Sequence, residues 1–426
     1  MELHFYHKKG RSPIRRLLCF CLLFMFLGAG TAYAAPDDVF FEFNSGRKRQ
    51  VVPFRLVKNL MVVPMMINGQ GPYNFVLDTG VGLCLITDPA LLGTLKPTYV
   101  RDIRITGFGE GEDIKASVCV GLNFELGQAT AKNMSAAILK EDAFNLSALT
   151  GMKIHGLIGY ELFSSFIIKI NYIARQITLY RPNTYYIPKK GARIPITIEE
   201  RKPYITAEIE LESSRKLLAK LILDTGAGHP VSLETENGVP FPVPPLNVPA
   251  NLGIGLSGPI FGYLSRIRSL KLAKYELKNV ITAFPDYDHV AAKITSISRN
   301  GNMGTSILKR FTVVFDYSRG AIYLRPTIAI KDPFEHNMSG MDLVSGGSDY
   351  TRKFIMRVEK GSPAEEVGLM KDDELISVNF KRADEMTMEE LDELLRSKDG
   401  RSLLLEVLGK GQTRTDRVIL TLKRRI

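Results

Sequence analysis

The chain has 426 residues, of which 45% are hydrophobic and 24% are charged. This length and apolar content exclude a disordered protein and allow two or three domains, each with its own core. The formal net charge is +11, and the charges after residue 34 are interspersed along the sequence, which indicates a solvated surface and argues against nucleic-acid binding. The 36 glycines, 22 prolines and many short β-branched runs favour a mainly β protein over a helical bundle.

Residues 1–34 have the organisation of an export signal. Basic residues precede an apolar run at 17–27, and Ala32-Tyr33-Ala34 forms a small-x-small cleavage site. An uncleaved anchor helix is the alternative, but the run is shorter than the roughly 20 residues that span a bilayer. The sequence therefore predicts export to the periplasm, the cell envelope or the medium. The mature chain would begin at Ala35 and would have no stable membrane span.

Two of the four cysteines, Cys19 and Cys21, lie inside the predicted signal. The mature chain would keep Cys84 and Cys119. A disulfide bond between them in an oxidising compartment and two separately buried thiols both remain open.

The central part of the chain contains an internal duplication. The segment FVLDTGVG at 75–82 recurs as LILDTGAG at 221–228, an offset of 146 residues. In each copy a Gly-x-Gly pair, a hydrophobic-Gly step and a closing strand pair ending in Arg-Pro follow at matching distances from the Asp. Because four landmarks stay in register, the sequence predicts two related β-lobes, lobe 1 at residues 48–186 and lobe 2 at residues 187–330.

Asp78 and Asp224 each follow a buried apolar strand, where an ionised carboxylate is costly. If the lobes pack about a pseudo-twofold axis, the two carboxylates converge and share one proton. The ionised carboxylate can then take a proton from water while the protonated one donates to a scissile carbonyl. The residues expected to link the two loops and to allow their turns are Thr79, Gly80, Thr225 and Gly226.

The two Asp-Thr-Gly motifs, each with a later hydrophobic-Gly step, resemble those of the retropepsin and pepsin class of aspartic peptidases. The resemblance covers about residues 50–326 and implies a bilobal β-fold, one catalytic Asp per lobe, a water nucleophile, and no cofactor or metal. Short lobes with a glycine-rich hairpin in each are more similar to a fused retropepsin dimer than to a pepsin. Val81 departs from the small residue usual after the motif. A degenerate pair that binds peptides without cutting them is the alternative.

Each lobe contains a glycine-rich hairpin, which the pattern predicts to be a flap that closes over substrate. The predicted flap residues are Gly107, Phe108 and Gly109 in lobe 1 and Gly253, Ile254 and Gly255 in lobe 2. The second hairpin also matches the dinucleotide fingerprint Gly-x-Gly-x-x-Gly, but prolines precede it where that fingerprint needs a strand. Ordinary hairpin turns are the alternative to flaps.

The sequence pattern of residues 338–426 predicts a small α+β module. A segment of linker composition at 331–337 precedes it. A Gly-Ser-Pro-Ala segment and the sequence DDELISVN at 372–379 resemble bacterial PDZ domains, and Thr387 opens a capping box for an amphipathic helix. The resemblance implies that an extended or C-terminal peptide is added beside one loop and strand. That loop and strand comprise Gly340, Met341, Asp342 and Leu343. A purely structural appendage is the alternative.

The sequence therefore predicts an exported aspartic endopeptidase that hydrolyses polypeptides through Asp78 and Asp224. The alternative from another class is a non-catalytic peptide-binding or scaffold protein that keeps the fold. No zinc-type spacing of Cys and His and no nucleophile elbow occurs in the sequence. His229, five residues after Asp224, is interpreted as a strand-end residue and not as a base.

Overall fold

The prediction of a mainly β fold with a small C-terminal α+β domain is confirmed. The structure is a computed structural model that describes residues 41–44, 46–105, 113–187, 190–255, 258–286 and 298–426. The predicted export signal and the predicted lobe 1 flap residues Gly107, Phe108 and Gly109 lie outside the described residues.

Lobe 1 is built mainly from β-strands and contains three short α-helices among its described residues. Its strands are β1 (Glu42–Phe43), β2 (Arg49–Pro53), β3 (Arg55–Val57), β4 (Leu60–Ile67), β5 (Gln70–Leu77), β6 (Leu85–Ile86), β7 (Thr98–Ile105), β8 (Ile114–Leu126), β9 (Ala129–Leu139), β10 (Gly156–Ile158), β11 (Ile167–Asn171) and β12 (Gln176–Tyr180). Its helices are α1 (Leu91–Leu95), α2 (Leu146–Thr150) and α3 (Tyr160–Ser165). One sheet has the order β1-β9-β6-β10-β5-β4-β8-β7, with β3 paired to β4. Because β1 belongs to it, this sheet begins before residue 48.

Two-residue turns with left-handed backbone close two of these hairpins. Asn68 and Gly69, with φ of 50° and 73°, connect β4 to β5, which is the conformation that Asn-Gly favours in tight hairpins. Lys58 and Asn59, with φ of 47° and 65°, connect β3 to β4 in the same way.

Lobe 2 repeats the plan of lobe 1. Its strands are β13 (Ala192–Glu199), β14 (Lys202–Glu210), β15 (Lys216–Asp224), β16 (Val231–Leu233), β17 (Thr235–Glu236), β18 (Val239–Pro240), β19 (Val248–Gly255), β20 (Gly258–Leu272), β21 (Tyr275–Pro285), β22 (Gly301–Gly304), β23 (Phe311–Asp316) and β24 (Ala321–Pro326). A short helix, α4 (Thr305–Leu308), follows β22.

The strand that precedes each Asp-Thr-Gly motif pairs in parallel with the strand that carries the hydrophobic-Gly step. Leu77 in β5 lies opposite Ile158 in β10, and Leu223 in β15 lies opposite Met303 in β22. The Asp-Thr-Gly motif and the hydrophobic-Gly step therefore occupy equivalent places in the two lobes.

The closing strand pairs of the two lobes join in one sheet. In the described part of the chain its order is β2-β12-β11-β23-β24-β13-β14-β15-β22-β16-β21-β20-β19. The lobes meet where β11 pairs antiparallel with β23, with Ile170 opposite Val313. Both of these side chains are fully buried in a cluster to which both lobes contribute. This shared sheet fixes the orientation of one lobe relative to the other.

The C-terminal module has its own core. Its strands are β25 (Met341–Gly346), β26 (Arg352–Val358), β27 (Glu374–Val378), β28 (Lys381–Arg382), β29 (Ser402–Leu408) and β30 (Asp416–Thr421), and its helices are α5 (Pro363–Glu366) and α6 (Met388–Leu395). The predicted capping box is present, because Thr387 accepts from the Glu390 amide and Glu390 accepts from the Thr387 amide. The sheet order is β25-β26-β27-β29-β30, with β28 paired to β27.

The segment 331–337 differs from the expected linker because it packs against lobe 2. The Phe334 ring is buried, and the Arg310 guanidinium lies 3.6 Å from its centroid. Arg310 also donates hydrogen bonds to the carbonyl oxygens of Asp332 at 2.5 Å and Pro333 at 3.2 Å. Composition alone misses this because the segment acquires its partners only from a distant part of the chain.

Candidate active site

The two Asp-Thr-Gly motifs meet at the interface between the lobes. Asp78 directly follows β5, and Asp224 is the last residue of β15. The Asp78 amide donates to the carbonyl oxygen of Ile158 in β10 at 2.8 Å. The apolar residues before each Asp are buried, so these strands are anchored in the lobes' cores. The segments 78–82 and 224–228 are called the lobe 1 loop and the lobe 2 loop below.

A reciprocal set of hydrogen bonds joins the two loops through their threonines. The Thr79 amide donates to Thr225 Oγ1 and the Thr225 amide donates to Thr79 Oγ1, each at 3.0 Å. Each hydroxyl also donates across the interface, Thr79 Oγ1 to the carbonyl oxygen of Leu223 at 2.6 Å and Thr225 Oγ1 to that of Leu77 at 2.8 Å. Both threonines are buried, so water does not compete for these four bonds.

The glycine after each threonine lets the opposite carboxylate come close. The Gly80 amide donates to Asp78 Oδ1 at 2.7 Å, and the Gly226 amide donates to Asp224 Oδ1 at 2.9 Å. A Cβ atom at position 226 would lie 2.2 Å from Asp78 Cγ, and one at position 80 would lie 3.2 Å from Asp224 Oδ1. The structure therefore brings together all six residues that the sequence analysis assigned to the two loops.

The electrostatics of the pair favour one retained proton. Burial raises the pKa of Asp78 well above its usual value, and the neighbouring Asp224 carboxylate raises it further. The Gly80 amide and the Lys202 ammonium oppose this shift. Two carboxylates in hydrogen-bonding contact can share a proton, which provides an acid and a base at one point.

The carboxylates line a cleft with a volume of ≈ 1050 Å³. The predicted lobe 2 flap residues Gly253, Ile254 and Gly255 end β19, pair with the start of β20, and line this cleft. The Ile254 side chain packs against an apolar cluster of lobe 1. The β19–β20 hairpin of lobe 2 therefore reaches across to the other lobe.

Two lobe 2 residues near Asp224 were not recognised in the sequence as part of the site. Asn302 in β22 donates from Nδ2 to Asp224 Oδ2 at 3.5 Å, and His229 Nε2 lies 2.5 Å from Asn302 Oδ1. An alignment of the two repeats would have identified Asn302 as a candidate, because the residue before the hydrophobic-Gly step is the apolar Leu157 in lobe 1 and the polar Asn302 in lobe 2.

A buried ion pair lies in the same part of the cleft. Arg299 Nε lies 2.9 Å from Glu234 Oε2, and both side chains are largely buried. Burial raises the pKa of Glu234, and Arg299 opposes the shift.

The predicted peptide-binding residues of the C-terminal module lie at the start of β25. The side chains of Met341 and Leu343 are buried in the module's core, and Asp342 forms an ion pair with Arg357 at 2.7 Å. Gly340 has a φ of 76°, and a Cβ atom there would lie 2.1 Å from Ser362 Cβ, so this position requires glycine. β25 is an edge strand of its sheet, which is the geometry for strand addition.

Lobe 1 contacts this edge through the β3–β4 turn. The Lys58 amide donates to Glu389 Oε2 at 2.5 Å, and Lys58 Nζ donates to the carbonyl oxygen of Leu343 at 3.4 Å. The next residue, Asn59, donates from Nδ2 to the carbonyl oxygen of Gly228 at 2.9 Å. One turn therefore contacts both the predicted peptide-binding edge and the lobe 2 loop.

Comparison with known protein families assigns two parts of the chain. Residues 63–162 match the model of an aspartyl protease, and residues 354–409 match that of a PDZ domain. The chain combines an aspartyl protease domain with a PDZ domain. The aspartyl protease match covers the copy of the duplication that contains Asp78. A search of curated proteins found no match to this chain.

The described residues were searched for metal-ligand clusters, disulfide bonds and membrane-spanning helices. They contain no group of three or more His, Cys, Asp or Glu side chains arranged to hold a metal ion. Cys84 and Cys119 are buried free thiols. Among the helices of the described part of the chain, none has both the length and the apolar character needed to cross a membrane.

Proposed function

We propose that the protein is an exported aspartic endopeptidase with a single active site formed by Asp78 and Asp224. The observation that carries this proposal is the facing pair of carboxylates in one cleft, held by the reciprocal threonine hydrogen bonds. A pair of loops that served only as turns would have no need to place two costly carboxylates against each other.

In the proposed mechanism, a water molecule between the carboxylates is the nucleophile. The ionised carboxylate takes a proton from this water as it attacks the scissile carbonyl carbon, and the protonated carboxylate donates its proton to the carbonyl oxygen. The Gly80 and Gly226 amides orient the carboxylates by donating to one oxygen of each. The hairpin that carries Ile254 would cover the substrate and keep bulk water out of the cleft.

The PDZ domain is proposed to recognise an extended or C-terminal peptide segment along β25. Its edge position supports this role, and the cleft of the aspartyl protease domain extends to Gly340 and Leu343. A peptide strand at Leu343 would have to replace Lys58 as the partner of the Leu343 carbonyl oxygen. Export is supported by the signal-like organisation of residues 1–34.

The test is cleavage of a mixture of unstructured peptides by purified protein that begins at Ala35, with products identified by mass spectrometry. Asp78→Asn and Asp224→Asn variants, purified in the same way, control for contaminating proteases and keep the shape of each side chain. The proposal expects cleavage by the wild type and none by either folded variant. Equal products from wild type and Asp78→Asn would refute the shared site. Peptide binding without cleavage between pH 3 and 8 would favour a non-catalytic scaffold.

Export is tested separately by expressing the full chain in a bacterial host and sequencing the N-terminus of the accumulated protein. A protein that begins at Ala35 supports export and signal removal. A cytoplasmic protein that retains residues 1–34 would contradict them.

A further inference from the structure

The two halves of the active site differ in polarity at corresponding positions. In lobe 1, the residue before the hydrophobic-Gly step is Leu157 and the residue five positions after the Asp is Leu83. In lobe 2 the same positions hold Asn302 and His229. The backbone surroundings are equivalent, since Leu157 lies opposite Val76 and Asn302 lies opposite Ile222 in the parallel strand pairs. Lobe 1 is therefore an internal reference for the effect of Asn302 and His229 on the neighbouring aspartate.

Asn302 and His229 form a short chain of hydrogen bonds that ends on Asp224. His229 Nε2 donates to Asn302 Oδ1 at 2.5 Å, and Asn302 Nδ2 donates to Asp224 Oδ2 at 3.5 Å. The amide is assigned with Nδ2 toward Asp224 because a carbonyl oxygen facing a carboxylate would be repelled. With the Gly226 amide on Oδ1, both oxygens of Asp224 have a donor. At the corresponding place beside Asp78, Leu157 has no donor to offer.

We propose that Asn302 is a positioning residue that keeps the negative charge of the carboxylate pair on Asp224, and that His229 orients its amide. The proposal rests on the peptidase function proposed above and assigns roles within it. Asp224 is the base that takes a proton from water, and Asp78 is the acid that donates to the carbonyl oxygen. Hydrogen bonds to a carboxylate stabilise its ionised form, so two donors on Asp224 direct the shared proton to Asp78.

Burial and neighbouring titratable groups also act on this site. Burial and the Asp224 carboxylate raise the pKa of Asp78, and burial lowers the pKa of His229. An imidazole with its proton on Nε2 and an imidazolium both donate from Nε2, so His229 can hold Asn302 in either state. Among the described residues, the other titratable groups that interact electrostatically with one of the two carboxylates are Lys202, Glu234, Arg299 and Tyr317. They are common to the wild type and to the variants below.

The test compares Asn302→Leu, which installs the lobe 1 residue, with the wild type. The Asp carboxyl carbons are labelled with ¹³C and titrated by NMR, which reads the two apparent pKa values of the pair without any substrate. The lower pKa describes the loss of the first proton from the pair, which leaves Asp224 as a carboxylate. It should rise by about one unit, the effect of one lost hydrogen bond to a charged group. The upper pKa should move little, because Asp224 is ionised both before and after the second proton leaves.

A second pair of variants tests His229 without changing a group that touches Asp224. His229→Leu removes the donor to Asn302 Oδ1 and should raise the lower pKa, whereas His229→Gln retains an N–H donor and should restore it toward the wild-type value. This pair also decides the question if Asn302→Leu does not fold. In active protein, the acidic limb of kcat/KM should shift by the same amount as the lower pKa.

The proposal is overturned if both apparent pKa values are unchanged in Asn302→Leu, or if both rise equally. It is also overturned if His229→Gln behaves as His229→Leu does. A wild type that cleaves no peptide would refute the peptidase function. The NMR titration would still show whether Asn302 sets the order of ionisation, so the two failures are distinguishable.

Discussion

The threonine cross-link between the lobes makes a prediction whose size follows from the hydrogen bonds that it contains. Replacing Thr225 by Val keeps the shape of the side chain and removes its hydroxyl. The Thr79 amide and the carbonyl oxygen of Leu77 then lose their partners inside a buried interface. At about 1–3 kcal/mol for each unpaired buried group, the free energy of unfolding should fall by about 2–6 kcal/mol. This is a large fraction of the 5–15 kcal/mol that is typical of a folded domain.

Thr225→Ser is the matched control, because it retains the hydroxyl and removes only a methyl group. Its expected cost is about 1 kcal/mol. Urea unfolding followed by circular dichroism gives the midpoint and slope for each protein, and peptide cleavage at a fixed pH gives the activity. Thr225→Val should also lose activity, since the two loops that position Asp78 and Asp224 would lose the two hydrogen bonds made by the Thr225 hydroxyl.

The reasoning would be refuted by a Thr225→Val protein that unfolds within about 1 kcal/mol of Thr225→Ser. That result would mean that the amide and the carbonyl group find other partners, or that the lobes are held together by their shared sheet alone. Full activity in a destabilised Thr225→Val protein would separate the stability of the interface from the positioning of the carboxylates.

Four further predictions follow from the described residues. Because the pKa of Asp78 is raised in the folded state, the folded protein keeps a proton that the unfolded chain releases above about pH 4, and the free energy of unfolding falls as the pH rises through the pKa of the folded state. Asp78→Asn should therefore stabilise the protein more at pH 8 than at pH 4, as measured by urea unfolding. An equal change in the free energy of unfolding at both pH values would contradict the raised pKa. Gly226→Ala should abolish cleavage because its Cβ would collide with the Asp78 carboxylate, whereas Gly93→Ala, whose Cβ meets nothing within 4 Å, should retain it. Glu389→Gln weakens the contact between the PDZ domain and the β3–β4 turn and should speed amide hydrogen exchange in the lobe 2 loop; unchanged exchange would show that the turn does not connect the two. Because one chain contributes both lobes, active protein should sediment as a monomer, and activity lost on dilution would indicate pairing between chains.

Local patterns in the sequence determined the parts of this protein that depend on short-range physics. Alternating apolar strands with glycine-rich turns indicate β-lobes, and the mainly β fold is confirmed. The duplicated motif around Asp78 and the sequence at 372–379 indicated an aspartyl protease domain and a PDZ domain, which the family comparisons confirm. The capping box at Thr387 is equally local, since its bonds join residues three positions apart.

Only the tertiary structure decided how these parts act on one another. The β11–β23 pairing that joins the lobes, the polar chain from His229 to Asp224, and the contact of Lys58 with the PDZ domain each connect residues more than 70 positions apart. Such contacts have no local signature, because the chain segments that form them are separately compatible with many partners. Asn302 shows this most clearly. Its sequence context is that of a strand residue, and its relation to Asp224 exists only because β22 lies parallel to β15.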